Sequence, residues 1–179
     1  MIELILACAP NVAPSTIQEI IRVESGGNPL AINVNKRQGA TFQHLKKIKT
    51  KQDAVTIANA AIAAGHTVDM GYMQVNSANL SRLGYTVADM FDPCKNITAG
   101  AHILTMAYTD ALPRHGDEQA ALRAALSRYN TGDFTRGFRN GYVARYVDMP
   151  TEPILNALDP YTANTSVWRQ PDRIIQDRR

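Results

Sequence analysis

No stretch of this chain approaches the ~20 apolar residues that a bilayer-spanning helix needs. The most apolar opening, MIELILACAP from Met1 to Pro10, is far shorter and carries no basic residue before its apolar part. It therefore does not read as a secretory leader or as a lipoprotein signal ending in Cys8. The expectation is that Met1 begins a mature or trimmed chain whose exporting signal has been removed. Cysteine is scarce: Cys8 and Cys94 lie far apart and form no C-x-x-C pair. Two readings stay open for them. They are packed thiols, since free cysteine behaves as a small hydrophobe, or one disulfide, which needs an oxidising compartment. Excess charge is scarce too, at +3. That permits contact with an anionic polymer but lacks the strongly basic face of a nucleic-acid binder. His44, His66, His102 and His115 fall in no H-E-x-x-H spacing, so no metal site is expected. The chain also has no G-x-x-x-x-G-K-[ST], G-x-G-x-x-G or G-x-S-x-G motif. This removes the sequence grounds for a nucleotide cofactor or a serine hydrolase, and no cofactor is expected.

What is present is enough for one globular core: 45% of the residues are hydrophobic, with no internal repeat. The chain punctuates as helices. The first is expected over Thr16 to Ser25, opened by a Ser15/Gln18 or Thr16/Glu19 capping box and ended by Gly26-Gly27. Ile32 and Val34 then alternate with asparagines, which suggests a small β-hairpin around Gly39. A helix follows from Thr50 to Gly65, and MGYMQVN reads as a turn or buried loop. SANLSRLG is a short helix closed by Gly84, and TVADMF supplies one more turn. Asp92 and Pro93 open the clearest helix, which runs to Pro113. Asp117 caps the next, ended by Gly132. A last helix carries Tyr142, Val143, Tyr146 and Val147 and stops at Pro150. Beyond it, residues 150–179 hold prolines at 153, 160 and 171 and end basic, so they read as an extended tail outside a domain of residues 1–149. The fold class is mainly α, with a cleft expected between helices.

Three short stretches carry chemistry. In the first, Ile17, Ile20 and Ile21 form an apolar helical stripe, and Glu24 falls on its next beat before Gly26-Gly27. Burial penalises a charged carboxylate and raises its pKa, at about 1.4 kcal/mol per unit, which leaves an acid that can still give up a proton near neutrality. The plainer alternative is a helix-end glutamate turned to solvent or paired with Arg22 or Arg128. The second is GYMQVN, where Gln74 and Asn76 alternate with Met73 and Val75. Neutral amides suit sugar hydroxyls and N-acetyl groups, although they serve equally well as caps of a packed loop. The third is SRYNTG: Tyr129 shares a helical stripe with Leu122 and Leu126, and its buried phenol needs a partner that a nearby glutamate could supply. Asn130 stands at the helix end.

A glutamate before Gly-Gly, then G-x-M-Q-x-N, then Y-N-x-G resembles the lysozyme-like lytic transglycosylases that cleave bacterial peptidoglycan. ESGGNPLAINVN, GHTVDMGYMQVNSANL and FDPCKNITAGAHIL resemble the subfamily attached to type IV secretion and conjugation machines, over roughly Ala7 to Val147. The resemblance implies a lysozyme-like α+β fold, with Glu24 as catalytic acid. Ser25, Met73, Gln74, Asn76, Tyr129 and Asn130 would be substrate-binding residues, with Tyr129 holding the glutamate. Tyr72 departs from the leucine of many relatives. The resemblance also implies a periplasmic setting, and with it a Cys8–Cys94 disulfide. Partners would be glycan strands and secretion or conjugation components.

Glycosidases ordinarily use two carboxylates. Only Glu24 sits in a motif here, and Asp69 reads as a turn aspartate. The resemblance implies a single-acid route to a 1,6-anhydromuramic acid end. Two rivals remain at this point: a hydrolytic muramidase with the same site, and a wall-binding assembly protein whose activity is incidental.

Overall fold

A computed structural model describes residues 1–35, 42 and 47–147. The hairpin turn expected around Gly39, the stop at Pro150 and the tail of residues 150–179 lie outside them. The chain builds an α+β domain from eight helices and a three-stranded antiparallel sheet among the described residues. The elements are α1 (Ile2–Cys8), α2 (Pro14–Ser25), β1 (Ile32–Asn35), α3 (Lys51–Ala63), β2 (Thr67–Met70), β3 (Val75–Asn76), α4 (Leu80–Leu83), α5 (Pro93–Ala111), α6 (Glu118–Thr131), α7 (Arg136–Arg139) and α8 (Ala144–Val147).

The long helices start where their caps dictate. Thr50 and Asp53 form a reciprocal capping box on α3. The Asp92 side chain accepts from the Lys95 N–H ahead of Pro93 at the start of α5. Asp117 accepts from the amides of Gln119 and Ala120 on α6. Helix α2 behaves differently from expectation. It begins at Pro14 with Ala13 as N-cap and no side-chain cap bond, so Ser15 and Thr16 sit inside the first turn. Proline needs no N–H partner at that position, which makes a capping box dispensable. Helices α1 and α7 carried no expectation; both are short, and α1 occupies the apolar opening of the chain.

Helix α5 is the central post. It packs against α1 on one side and α6 on the other, and buries Ile97, Leu104 and Tyr108. The disulfide Cys8–Cys94 ties the end of α1 to the start of α5, with Cα atoms 5.2 Å apart and a separation of 86 positions in sequence. Closing so long a loop constrains the unfolded chain, a contribution of about 2–4 kcal/mol.

The strands order β1-β2-β3. Strand β1 pairs with β2, putting Ile32 opposite Met70 and Asn33 opposite Asp69; β2 pairs with β3, putting Asp69 opposite Asn76. The period of two sends Val68, Met70 and Val75 into the core. Asn33, Asp69 and Asn76 therefore project from the other face. Asp69 is a strand residue, not the turn aspartate expected, because the turn begins only at Gly71. That turn is fastened to α5 by one buried side chain. Asn96 accepts from the Met73 N–H at 2.8 Å and donates to the carbonyls of Met70 at 2.8 Å and Met90 at 3.0 Å. Gly71 is required here: at φ +73 a Cβ would stand 2.3 Å from the Met90 carbonyl oxygen and 2.4 Å from the Asn96 amide.

Asn96→Ala removes the side-chain partner of three buried backbone groups. It is expected to destabilise the fold by about 2–4 kcal/mol, read as a lower urea midpoint. Reduction of the Cys8–Cys94 bond is expected to lower stability by about 2–4 kcal/mol, measured by melting with and without dithiothreitol.

Candidate active site

A cleft of about 870 Å³ opens between the polar face of the sheet and the helices α2, α5 and α6. The site is thus walled by helices on one side and strands on the other. Its lining includes Glu24, Ser25, Asn33, Asn35, Asp69, Gln74, Asn76, Arg128, Tyr129, Asn130 and Arg145. Among the residues singled out from sequence, Glu24, Ser25, Gln74, Asn76, Tyr129 and Asn130 all come together there. Met73 does not. Its side chain is fully buried and lies in the hydrophobic core, because the alternation that turns Gln74 and Asn76 outward turns Met73 inward.

Glu24 sits in the last turn of α2. The helix ends there because Gly26 and Gly27 take φ of +60 and +79 and their amides fold back onto the carbonyls of Arg22 and Ile21, a left-handed stop that glycine adopts without strain. The side chain is half-buried. It accepts a hydrogen bond from the Tyr142 hydroxyl, and Tyr142 in turn meets the Tyr146 hydroxyl at 2.8 Å. Since Tyr142 gives its proton to Glu24, Tyr146 is the donor in the second bond. Burial is the largest influence on Glu24 and holds its pKa above the ordinary carboxyl value. The Tyr142 bond pulls the other way, the charge of Asp69 adds to the rise, and Arg145 offsets part of it. Arg22 is engaged with Glu19, its Nε 2.7 Å from Oε1, and Arg128 pairs with Asp110. The solvent-facing or arginine-paired glutamate is therefore not what the chain builds.

Tyr129 does not hold Glu24. Its hydroxyl donates to the Met73 carbonyl at 2.6 Å, and burial together with the charge of Glu24 pushes its pKa well above the ordinary phenol value. The carbonyl lies at the turn, within reach of α6, whereas Glu24 is met from the far end of the chain. Tyr142 was legible only as part of an apolar helical stripe; nothing in its local spacing marks the hydroxyl as a partner of residue 24.

The two amides expected to read sugar are largely committed to shaping the cleft. Gln74 adopts φ +47, an uncommon conformation for a side chain with a Cβ. Its amide nitrogen secures the turn on the carbonyls of Gly71 at 2.9 Å and Ala31 at 3.3 Å. Asn76 donates to Asp69 at 2.6 Å and accepts from the Ala78 N–H at 2.9 Å. Ser25 donates to the Ile21 carbonyl at 3.0 Å, and exposed Asn130 accepts from Asn140 at 3.3 Å.

A sheltered carboxyl group at a helix end, facing an open polar cleft beside a small antiparallel sheet, defines an α+β domain of lysozyme-like build. Residues 3–146 match the model of the transglycosylase SLT domain, and the chain belongs to that family. It is 41% identical over 162 residues to the type IV secretion system protein virB1 of Brucella suis biovar 1, covering 84% of this chain and 66% of the relative. It is also 41% identical over 138 residues to protein virB1 of Agrobacterium fabrum, covering 77% of this chain and 54% of that one. The chain thus spans between about half and two thirds of the length of these relatives. No solved structure matches.

Because folding raises the pKa of Glu24, the folded state binds its proton more tightly than the unfolded chain does. Stability then falls as pH rises from 4.5, the ordinary value, through the raised one. Glu24→Gln removes this loss. The variant is expected to melt higher than wild type above that window, with the difference vanishing at low pH, as checked by thermal melts across pH. Tyr142→Phe removes the one hydrogen bond that lowers the Glu24 pKa and is expected to raise it further, read from the side-chain carboxyl signal in an NMR titration.

Proposed function

We propose that this chain is a peptidoglycan lytic transglycosylase. It would cleave the β-1,4 bond between N-acetylmuramic acid and N-acetylglucosamine and leave a 1,6-anhydromuramic acid end. The observation that carries this reading is Glu24: a carboxyl group whose pKa burial raises, opening on a polar cleft of about 870 Å³. Glu24 gives its proton to the glycosidic oxygen as that bond breaks. The substrate's own N-acetyl group supports the electron-poor sugar carbon. Glu24, now a carboxylate steadied by the Tyr142 hydroxyl, takes the proton of the C6 hydroxyl as that oxygen attacks the same carbon. Both reacting oxygens belong to one bound strand, so the second step gains from proximity. Ser25, Gln74, Asn76, Tyr129 and Asn130 bound the groove in which the strand lies.

The setting follows from the same reading. Relatives named as type IV secretion proteins support a role in opening the wall locally for a secretion or conjugation apparatus. The Cys8–Cys94 bond supports an oxidising compartment, the periplasm, reached by export. The catalytic domain would be residues 1–149, with residues 150–179 an extension beyond it.

Digests of purified peptidoglycan test the chemistry. Wild type is expected to release muropeptides one water lighter than reducing-end products. Glu24→Gln is expected to lose about 10²–10⁴-fold in rate while keeping its circular dichroism spectrum. Products carrying reducing ends would mark hydrolysis instead, and full lysis by Glu24→Gln would remove residue 24 from the mechanism.

A further inference from the structure

Three arginines line the cleft among the described residues, Arg82, Arg128 and Arg145, beside two acids, Glu24 and Asp69. The rings, hydroxyls and acetamido groups of an N-acetylated glycan carry no charge, so reading the sugars gives no reason for a surplus of cations. Muramic acid carries a side arm that does: a lactyl ether ending either in its own carboxylate or in a peptide bearing further carboxylates. We propose that Arg82 is a carboxylate-binding site for this side arm, and that it makes the enzyme prefer strands that bear the arm to uncharged chitin-like strands. The proposal rests on the transglycosylase reading above and deepens it.

The other charges of the cleft are engaged within the protein. Arg128 pairs with Asp110 and stands over the Phe134 ring. Arg145 lies over the Tyr142 ring, and its charge acts on Glu24. The Asp69 carboxylate accepts from three neutral amides, those of Asn33 at 3.2 Å, Asn35 at 2.9 Å and Asn76 at 2.6 Å. Arg82 is different. Among the described residues its guanidinium makes one long hydrogen bond, from Nη2 to the Asn79 side-chain oxygen at 3.4 Å, and no acidic side chain pairs with it.

The fold fixes where this cation stands. Asn76 closes β3, the single turn Ser77–Asn79 follows, and α4 begins at Leu80. Leu80 is buried and anchors the short helix. Arg82, two positions later, is exposed. Asn79 lines the cleft as well, so its bond holds the guanidinium on the wall that continues from the sheet. Most of the donors on that planar fork stay open. A carboxylate can take two of them at once, a geometry that a lysine ammonium does not offer.

The test measures binding in the Glu24→Gln background with three soluble probes. These are glycan strands with peptide stems, strands stripped of stems so that the lactyl carboxylates remain, and chitin oligosaccharides, which have neither. Arg82→Gln is expected to weaken binding of stem-bearing strands by about 10-fold and to leave chitin binding unchanged. Arg82→Lys, which keeps the charge and loses the fork, should fall between. An equal loss on stripped strands assigns the contact to the lactyl carboxylate, and a loss confined to stem-bearing strands assigns it to the peptide; either supports the proposal. Arg139→Gln, which removes an exposed charge outside the cleft lining, is the control for net charge and should bind all three probes like its parent. With Glu24 intact, Arg82→Gln should raise KM for stem-bearing strands with kcat little changed. A loss of the same size on chitin, a loss matched by Arg139→Gln, or unchanged binding of both carboxylate-bearing probes overturns the proposal. Should melting show that Arg82→Gln does not fold, Arg82→Lys decides: weaker binding of the carboxylate-bearing strands alone supports it, and binding like the parent overturns it. Unchanged binding beside normal release of anhydro ends sinks this inference only. A wild-type protein that releases no muropeptides sinks the functional reading beneath it.

Discussion

The peptide at Met73 is gripped from both sides, and the shape of the cleft depends on that grip. Its N–H goes to Asn96 on α5 and its carbonyl to Tyr129 on α6. The two helices that make one wall of the cleft thereby hold the turn that joins β2 to β3 in the opposite wall. Asn96 is itself buried and pays for its desolvation with three backbone partners, so the amide has no better place to go. Loosening that grip would let the polar face of the sheet, with Asp69 and Asn76, drift relative to Glu24. Gln74, held at φ +47 in the same turn, is a conformation the surroundings must impose, and its two backbone bonds do so.

Within that frame the electrostatics of the cleft are unequal by design of position. Glu24 hangs from a helix whose neighbouring turns are isoleucine, and burial is the largest influence on it. Asp69 hangs from a strand whose cross-strand neighbours are asparagine. Arg145 lies over the Tyr142 ring, 5.9 Å from its centre, and moderates the rise at Glu24 by its charge. Arg128 is drawn away by Asp110 and by the Phe134 ring, 4.9 Å from its centre. The cations nearest the acid therefore leave burial as the dominant influence on it.

Local pattern in the chain accounts for much of this. The stripe of Ile17, Ile20 and Ile21 put Glu24 where burial would press on it, and Asp92-Pro93 and Asp117 marked helix starts that the structure keeps. The alternation of Gln74 and Asn76 with buried neighbours showed which side chains would face the cleft, and it told equally against Met73, whose place in a motif outweighed its parity. What stayed illegible depends on contacts made across the fold. Tyr142 reaches Glu24 over 118 positions in sequence, and its spacing speaks only of an apolar face. Asp69 precedes a glycine and so imitates a turn residue; only the strand register reveals that Asn33 and Asn76 flank it. Pro14, which starts α2 without a side-chain cap, was overshadowed by two serine/threonine candidates directly after it.

For the reaction proposed, one group must first be an acid and then, moments later, a base, and the surroundings of Glu24 suit both states. Burial favours the protonated form and so supplies the acid. Once the proton has left, the same burial would make the carboxylate costly, but Tyr142 already donates to one of its oxygens and strengthens that bond when the charge appears. Tyr146, buried behind it and donating to Tyr142, polarises the first hydroxyl toward the carboxylate. Neither phenol competes for the proton, because burial and the neighbouring charges keep both pKa values far above the working range. The remaining oxygen of Glu24 is then the one free to face the glycan, giving a proton to the leaving oxygen and receiving one from the attacking hydroxyl. A carboxyl group turned to solvent would be too weak a proton carrier in the first step, and one sealed without the tyrosine pair too reluctant to exist as a base in the second.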